Sequence, residues 1–165
     1  MNYAKLALEL DKADVNAAEI AWAYELALKE SDAQPILFMN LVALYFECND
    51  TGFAAANRLS QPFFDFSYYR AQEVLDLAEK RHGPLTEILF WRLYLRERVL
   101  AEDVAEENYI ALASRGDSDL PYLPPFLSSN RTRYGDEATR LFSAAQKQDT
   151  TRLRYIYSCR GFVSP

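Results

Sequence analysis

Along most of this chain apolar residues return every three or four positions, a period that predicts α-helices. Leu6, Ala7 and Leu10 share a face over Tyr3 to Lys12. Asp14 or Asn16 then offers a cap for a second helix over residues 17–30, with Ile20, Tyr24 and Ala27 on its apolar stripe and Trp22 and Leu26 widening it. Residues 31–35 stop that helix, and Pro35 stands where a first-turn proline is tolerated. Ile36 to Cys48 follows as a helix apolar almost all round, which requires a central position. After an Asn49-Asp50-Thr51-Gly52 turn comes a short alanine-rich helix over residues 53–59.

The second half repeats the theme. A helix over residues 66–81 carries Ala71, Val74, Leu75 and Ala78 on one face and ends at His82-Gly83-Pro84. Residues 85–100 form a long helix whose polar side is reduced to Arg92, Arg96, Glu97 and Arg98. Asp103 caps another helix, to Ser114, closed by Gly116. Pro121, Pro124 and Pro125 forbid a regular helix throughout residues 117–130, which read as a strap dividing a body, 1–116, from a tail, 131–165. In the tail, Ala138, Leu141, Phe142 and Ala145 predict an amphipathic helix over 136–146. Residues 152–157 fit helix or strand, and helix is preferred because no partner strand is visible elsewhere.

Half of the 165 residues are apolar, a quarter are charged and only five are glycine. Val and Ile are scarce beside Leu, Ala, Phe and Tyr, which favours helices over sheets. The expected fold is all-α, a single domain of stacked antiparallel helical hairpins, either repeat-like or an irregular bundle. A shift of 49 residues lays Leu26, Leu28, Glu30, Pro35, Leu44 and Tyr45 on Leu75, Leu77, Glu79, Pro84, Leu93 and Tyr94. It pairs the two most apolar helices, each preceded by a proline-bearing turn and an amphipathic helix.

Within residues 35–60, Phe38-x-x-Leu41-Val42-x-x-Tyr45 followed by Ala54-x-x-x-Arg58 resembles the tetratricopeptide repeat. Leu41, Tyr45 and Ala54 match its consensus, and Phe38 replaces the tryptophan. Val42 takes the small-residue place, Arg58 an aromatic place, and Pro62 comes earlier than the closing proline. The likeness spans one repeat, and the 49-residue offset is longer than that family's period. It is read as similar packing, and it implies a scaffold that holds another protein or peptide without chemistry of its own.

The net charge of −6 is uneven: residues 128–165 hold seven basic and three acidic side chains, so the tail is +4 and the rest −10. An acidic body argues against nonspecific binding of nucleic acid, leaving only the basic tail as a possible footprint. The tail's expected role is to dock on the body or to steer a partner. Glu102, Asp103, Glu106 and Glu107, spaced for i, i+4 pairs, and Arg152 and Arg154 are the charge-steering candidates. A solvated helix start is the bland account of the acidic group.

One histidine and five scattered glycines remove triads, imidazole metal sites and phosphate loops, so no catalytic residue, metal or cofactor is expected. His82 is read as a helix-end residue and Cys48 and Cys159 as buried, inert thiols. The partner-binding candidates are Phe63, Phe64, Phe66, Tyr68 and Tyr69, with Tyr122 and Phe126 in the strap. Their alternative reading is as core: a loop plugging the space between hairpins, and a strap packed over the body. The first residues resemble no secretion leader, and Ile36 to Phe46 is about half the length of a membrane span, so a cytoplasmic protein without a membrane role is expected. The leading functional expectation is a non-enzymatic protein-binding module: an adaptor, chaperone or regulator. An acidic immunity protein that neutralises a basic toxin is the alternative, and a carboxylate-dependent enzyme ranks last.

Overall fold

The computed structural model describes residues 2–115, 123–124 and 134–162, and among them every regular element is helical. Helix α1 spans Tyr3–Lys12 and α2 Ala17–Ala27. Each starts at an asparagine cap, Asn2 and Asn16, whose side-chain oxygen accepts a first-turn N–H. Asp14, the other capping candidate, sits instead in the connecting turn with a positive φ of 52°. Helix α3, Pro35–Glu47, buries nine consecutive residues from Leu37 to Tyr45. It lies at the centre, packed by α2 and by three helices that come later in the chain.

Helix α4, Thr51–Ala56, is capped by Asp50 and stops after six residues, with Arg58 at a φ of 53°. Helix α5 then runs for 22 residues, Gln61–His82, and Gly83 ends it at a φ of 81°, a conformation that suits glycine. The helix expected over residues 66–81 therefore starts five residues earlier. The aromatic stretch is the beginning of α5, because Ser60 caps it and Pro62 occupies the first turn. Ser67 is buried in the helix, donating to the Phe64 carbonyl and accepting from Asn49 Nδ2.

Helix α6 spans Thr86–Val99 and α7 Glu106–Ala113. Asp103 is not the cap of α7, whose N-cap is Ala105 with no side-chain hydrogen bond. Residues 101–105 are irregular, with Ala101 at a φ of 53° and the Glu102 N–H donating to the Arg96 carbonyl. Gly116 and most of the strap lie outside the described residues, although Leu123 and Pro124 are buried and Leu123 joins the core. Helix α8, Gly135–Ala145, and α9, Thr151–Ser158, form the last hairpin, and a 3₁₀ turn, Cys159–Phe162, follows. Residues 151–158 are therefore helix and not strand, with the Thr150 hydroxyl accepting the Leu153 N–H.

The last hairpin does not extend the stack. In an open stack each unit touches only its neighbours. Here α9 returns to α3, and its polar side chains reach α1 and α6. Asp11, fully buried at the end of α1, accepts from Tyr24 Oη at 2.8 Å, from the Thr151 backbone N–H at 2.7 Å and hydroxyl at 2.8 Å, and from Arg154 Nη2 at 2.8 Å. A side chain of α1 thus serves the first turn of α9. In the same turn, Arg152 meets Glu87 of α6 through two hydrogen bonds of 2.6 Å, both residues being 3 % exposed or less. Trp91 Nε1 adds a third donor to Glu87 at 3.3 Å. The result is an all-α bundle closed by its C-terminal hairpin.

Removing one partner of a buried pair strands the other without solvent. Arg152→Met is expected to lower stability by about 3–5 kcal/mol in urea unfolding followed by far-UV circular dichroism. Glu87→Leu combined with Arg152→Met should recover more than half of that loss, the Trp91 donor left without its acceptor limiting the recovery.

Candidate functional site

Two regions hold the side chains of functional interest, and each joins residues distant in the chain. The first surrounds an ion pair between α2 and α5. Glu25 receives Arg70 in a two-pronged contact, Nε to Oε1 and Nη2 to Oε2, both at 2.7 Å, and Tyr45 Oη donates to it at 2.8 Å from α3. Burial alone would raise the Glu25 carboxyl, but the bonds from Arg70 and Tyr45 outweigh it and hold the group below its ordinary value. The pair fixes α2 and α5 relative to each other above α3.

The candidate rings of α5 divide around this point. Phe63 is half-buried with its centroid 6.2 Å from Tyr45, and Phe64 and Tyr68 are also half-buried. Phe66, edge-on to Tyr45 at 6.3 Å, remains 47 % exposed, and Tyr69 is 69 % exposed. Trp22, read from the sequence as part of the buried stripe of α2, is instead 58 % exposed. It stands one turn before Glu25, as Phe66 stands one turn before Arg70. Trp22 and Phe66 are thus exposed rings one turn from the two partners of the bridge along their own helices, and the exposed Tyr69 directly precedes Arg70 in the chain. Tyr122 and Phe126 lie outside the described residues.

The charge-steering candidates are not brought together. Arg96 pairs with Glu102, Nε to Oε2 at 2.7 Å. Asp103 and Glu107 are exposed, but α7 starts only at Glu106, so Asp103 and Glu107 share no helix face. Glu106 turns one carboxylate oxygen inward. Arg152 and Arg154 face acids within the fold: Arg152 meets Glu87, and Arg154 meets Asp11 and, at 3.1 Å, Asp14. Neither is a free cation for steering a partner. His82, at the end of α5, packs edge-on against Phe38 at 5.3 Å.

The second region was not foreseen. A cavity of about 680 Å³ opens where α3, α6 and α9 end, and Glu47, Val99 and Ser158 are the last residues of those helices. Phe46, Tyr94 and Tyr155 give it aromatic walls, while Glu47, Asp50 and Arg98 are its charged groups. The Tyr94 and Tyr155 hydroxyls share a hydrogen bond, and Phe46 sits 5.0 Å from Tyr155 and 5.3 Å from Tyr94 between ring centroids. Burial, then the neighbouring charge of Asp50, pushes the Glu47 carboxyl up to about 7, with Arg154 acting weakly in the other direction. Burial and Glu47 push the adjacent Cys48 thiol up to about 12, and both cysteines are buried without a disulfide.

Among the described residues no cluster of three or more His, Cys, Asp or Glu side chains could hold a metal ion. No helix among them is long and apolar enough to cross a membrane. The sequence signal for the cavity was slight: Glu47 is the one charged residue in the α3 segment, at its very end. No protein-family model matches the chain, and comparisons with curated proteins and with solved structures give no match.

Because Glu47 binds its proton more tightly in the fold, its contribution to stability is complete below about pH 4.5 and is lost as pH rises through about 7. Glu47→Gln should therefore match the wild type near pH 4.5 and exceed it by about 2 kcal/mol at pH 8. Urea midpoints of the two proteins across that range measure the difference.

Proposed function

We propose that this chain is a non-enzymatic protein-binding module of the cytoplasm, an adaptor, chaperone or regulator that receives its partner on the exposed rings of α2 and α5. The observation that carries this reading is the exposure of Trp22, Phe66 and Tyr69 on the two helices that the Glu25–Arg70 bridge joins. Large aromatic side chains left in water on rigid helices are the usual anchors of protein interfaces, since they bury much area and lose little entropy on binding. The Glu25–Arg70–Tyr45 contacts hold the backbone of this face in place before a partner arrives, which lowers the cost of association.

The likeness of residues 35–60 to a tetratricopeptide repeat adds to the reading, as that repeat holds peptides and carries no chemistry. Two buried thiols without a disulfide fit a reducing compartment. The inward pairing of Arg152 and Arg154 favours a protein over a nucleic acid as partner. It also supports the second reading, an acidic immunity protein, because Asp103 and Glu107 are exposed while these tail cations are paired within the fold.

The test is affinity capture from the source cells with the wild type and with a Trp22→Ala, Phe66→Ala, Tyr69→Ala variant. A stoichiometric partner whose affinity falls about tenfold or more in the variant is expected, with little change in stability because all three side chains are exposed. A partner retained by the variant, or none at low salt, would sink the aromatic-face reading. Binding that the variant keeps but that weakens steeply with salt would move the balance to the immunity reading.

A further inference from the structure

From the cavity at the ends of α3, α6 and α9, we propose a binding site for an organic ammonium group, recognised by the rings of Phe46, Tyr94 and Tyr155 together with the carboxylates of Glu47 and Asp50. Its volume, about 680 Å³, lies within the range of small-ligand sites. The proposal is independent of the aromatic face of α2 and α5.

The sign of the ligand's charge follows from the walls. Each helix carries a partial negative charge at its C-terminus, and three such ends meet here, the last carbonyls of α3 being already bonded by Cys48, Asn49 and Asp50. Glu47 and Asp50 add formal negative charge in the same place. Asp50 is engaged as the cap of α4, but Glu47 has neither an ion pair nor a hydrogen bond from its side chain among the described residues. An anion would be repelled, and a neutral ligand would leave that carboxylate without a partner.

The aromatic walls then separate an organic cation from a metal ion. Hard cations demand shells of oxygen ligands, which two carboxylates among rings do not supply. An ammonium group carries its own apolar chain and is attracted to ring faces as well as to carboxylates. The chain already provides a cation of this kind at the rim: the Arg98 guanidinium lies 5.9 Å from the centre of the Tyr94 ring. The other groups facing Glu47 are Asp50 and Cys48 beside it, and Tyr155 and Arg154 of α9. Arg154 opposes an incoming cation, but its charge is shared with Asp11 and Asp14. Since an ammonium favours ionised Glu47, binding should strengthen several-fold between pH 6 and pH 8.

Titration of the ¹⁵N-labelled protein with butylammonium at low salt and pH 8, followed by amide shifts, tests the site, with 1-butanol and butyrate as neutral and anionic controls. Saturable shifts at the ends of α3, α6 and α9 are expected, with butylammonium bound about tenfold more tightly than butanol and butyrate not bound. Glu47→Gln should weaken butylammonium about tenfold and abolish the pH dependence, while Arg98→Ala, which removes the resident cation, should leave binding equal or stronger. Spermidine and Nα-acetyl-lysine methylamide distinguish a free amine from a lysine side chain of a protein, and tighter binding of either supports the site and names its source. Equal affinity for butanol, or an unchanged affinity in Glu47→Gln with its fold intact by circular dichroism, would overturn the proposal.

Discussion

The closed form of this bundle depends on the carboxylate of Glu87 and the guanidinium of Arg152, brought together from α6 and α9 with almost no water between them. Such a pair is a poor source of net stability, because desolvating two charges cancels most of their attraction. What it does supply is discrimination. With α9 displaced by a turn, both charges would face apolar surface, so only one docked position of the hairpin avoids that cost. Asp11 acts in the same sense, since four donors, three of them on α9, converge on one buried carboxylate.

The position of α9 in turn creates the cavity. Side-chain contacts between α6 and α9 advance in the same sense along both helices, from Glu87 with Arg152 to Tyr94 with Tyr155. The C-termini of the two helices finish near that of α3, and like ends of helix dipoles gather at one place. Apolar packing would not choose this arrangement by itself. The buried polar contacts do, and Glu47 then faces a negative environment that its burial makes worse.

The two regions of interest lie on different parts of the fold and have different physical characters. Around Glu25 and Arg70 the charges are matched and the rings are in water, which suits a surface that desolvates only when a partner covers it. At the cavity the charges are unmatched and the rings form walls, which suits a ligand that brings the missing charge.

The all-α class and the central place of α3 were legible in the sequence because periodicity and the lack of polar positions act locally: an apolar-all-round segment such as residues 36–48 has no face to give to water. The Gly83 stop was legible for the same reason, as was a cap at Asp14 or Asn16, of which the structure uses Asn16. Trp22 was misread because its helical spacing matches the buried stripe, while whether a neighbour covers that stripe depends on distant chain. The start of α5 was misread because rings in series suggested a loop, although Ser60 and Pro62 carried the local signal. Arg152 and Arg154 were visible as charges, but not their partners, since Glu87 and Asp11 lie 65 and 140 or more residues away. Helix formation is thus determined by residues three and four apart. The pairing of buried charges, the exposure of Trp22 and the meeting of three helix ends at Glu47 were decided only by tertiary packing, because desolvation and Coulomb energies depend on distance in space and not along the chain.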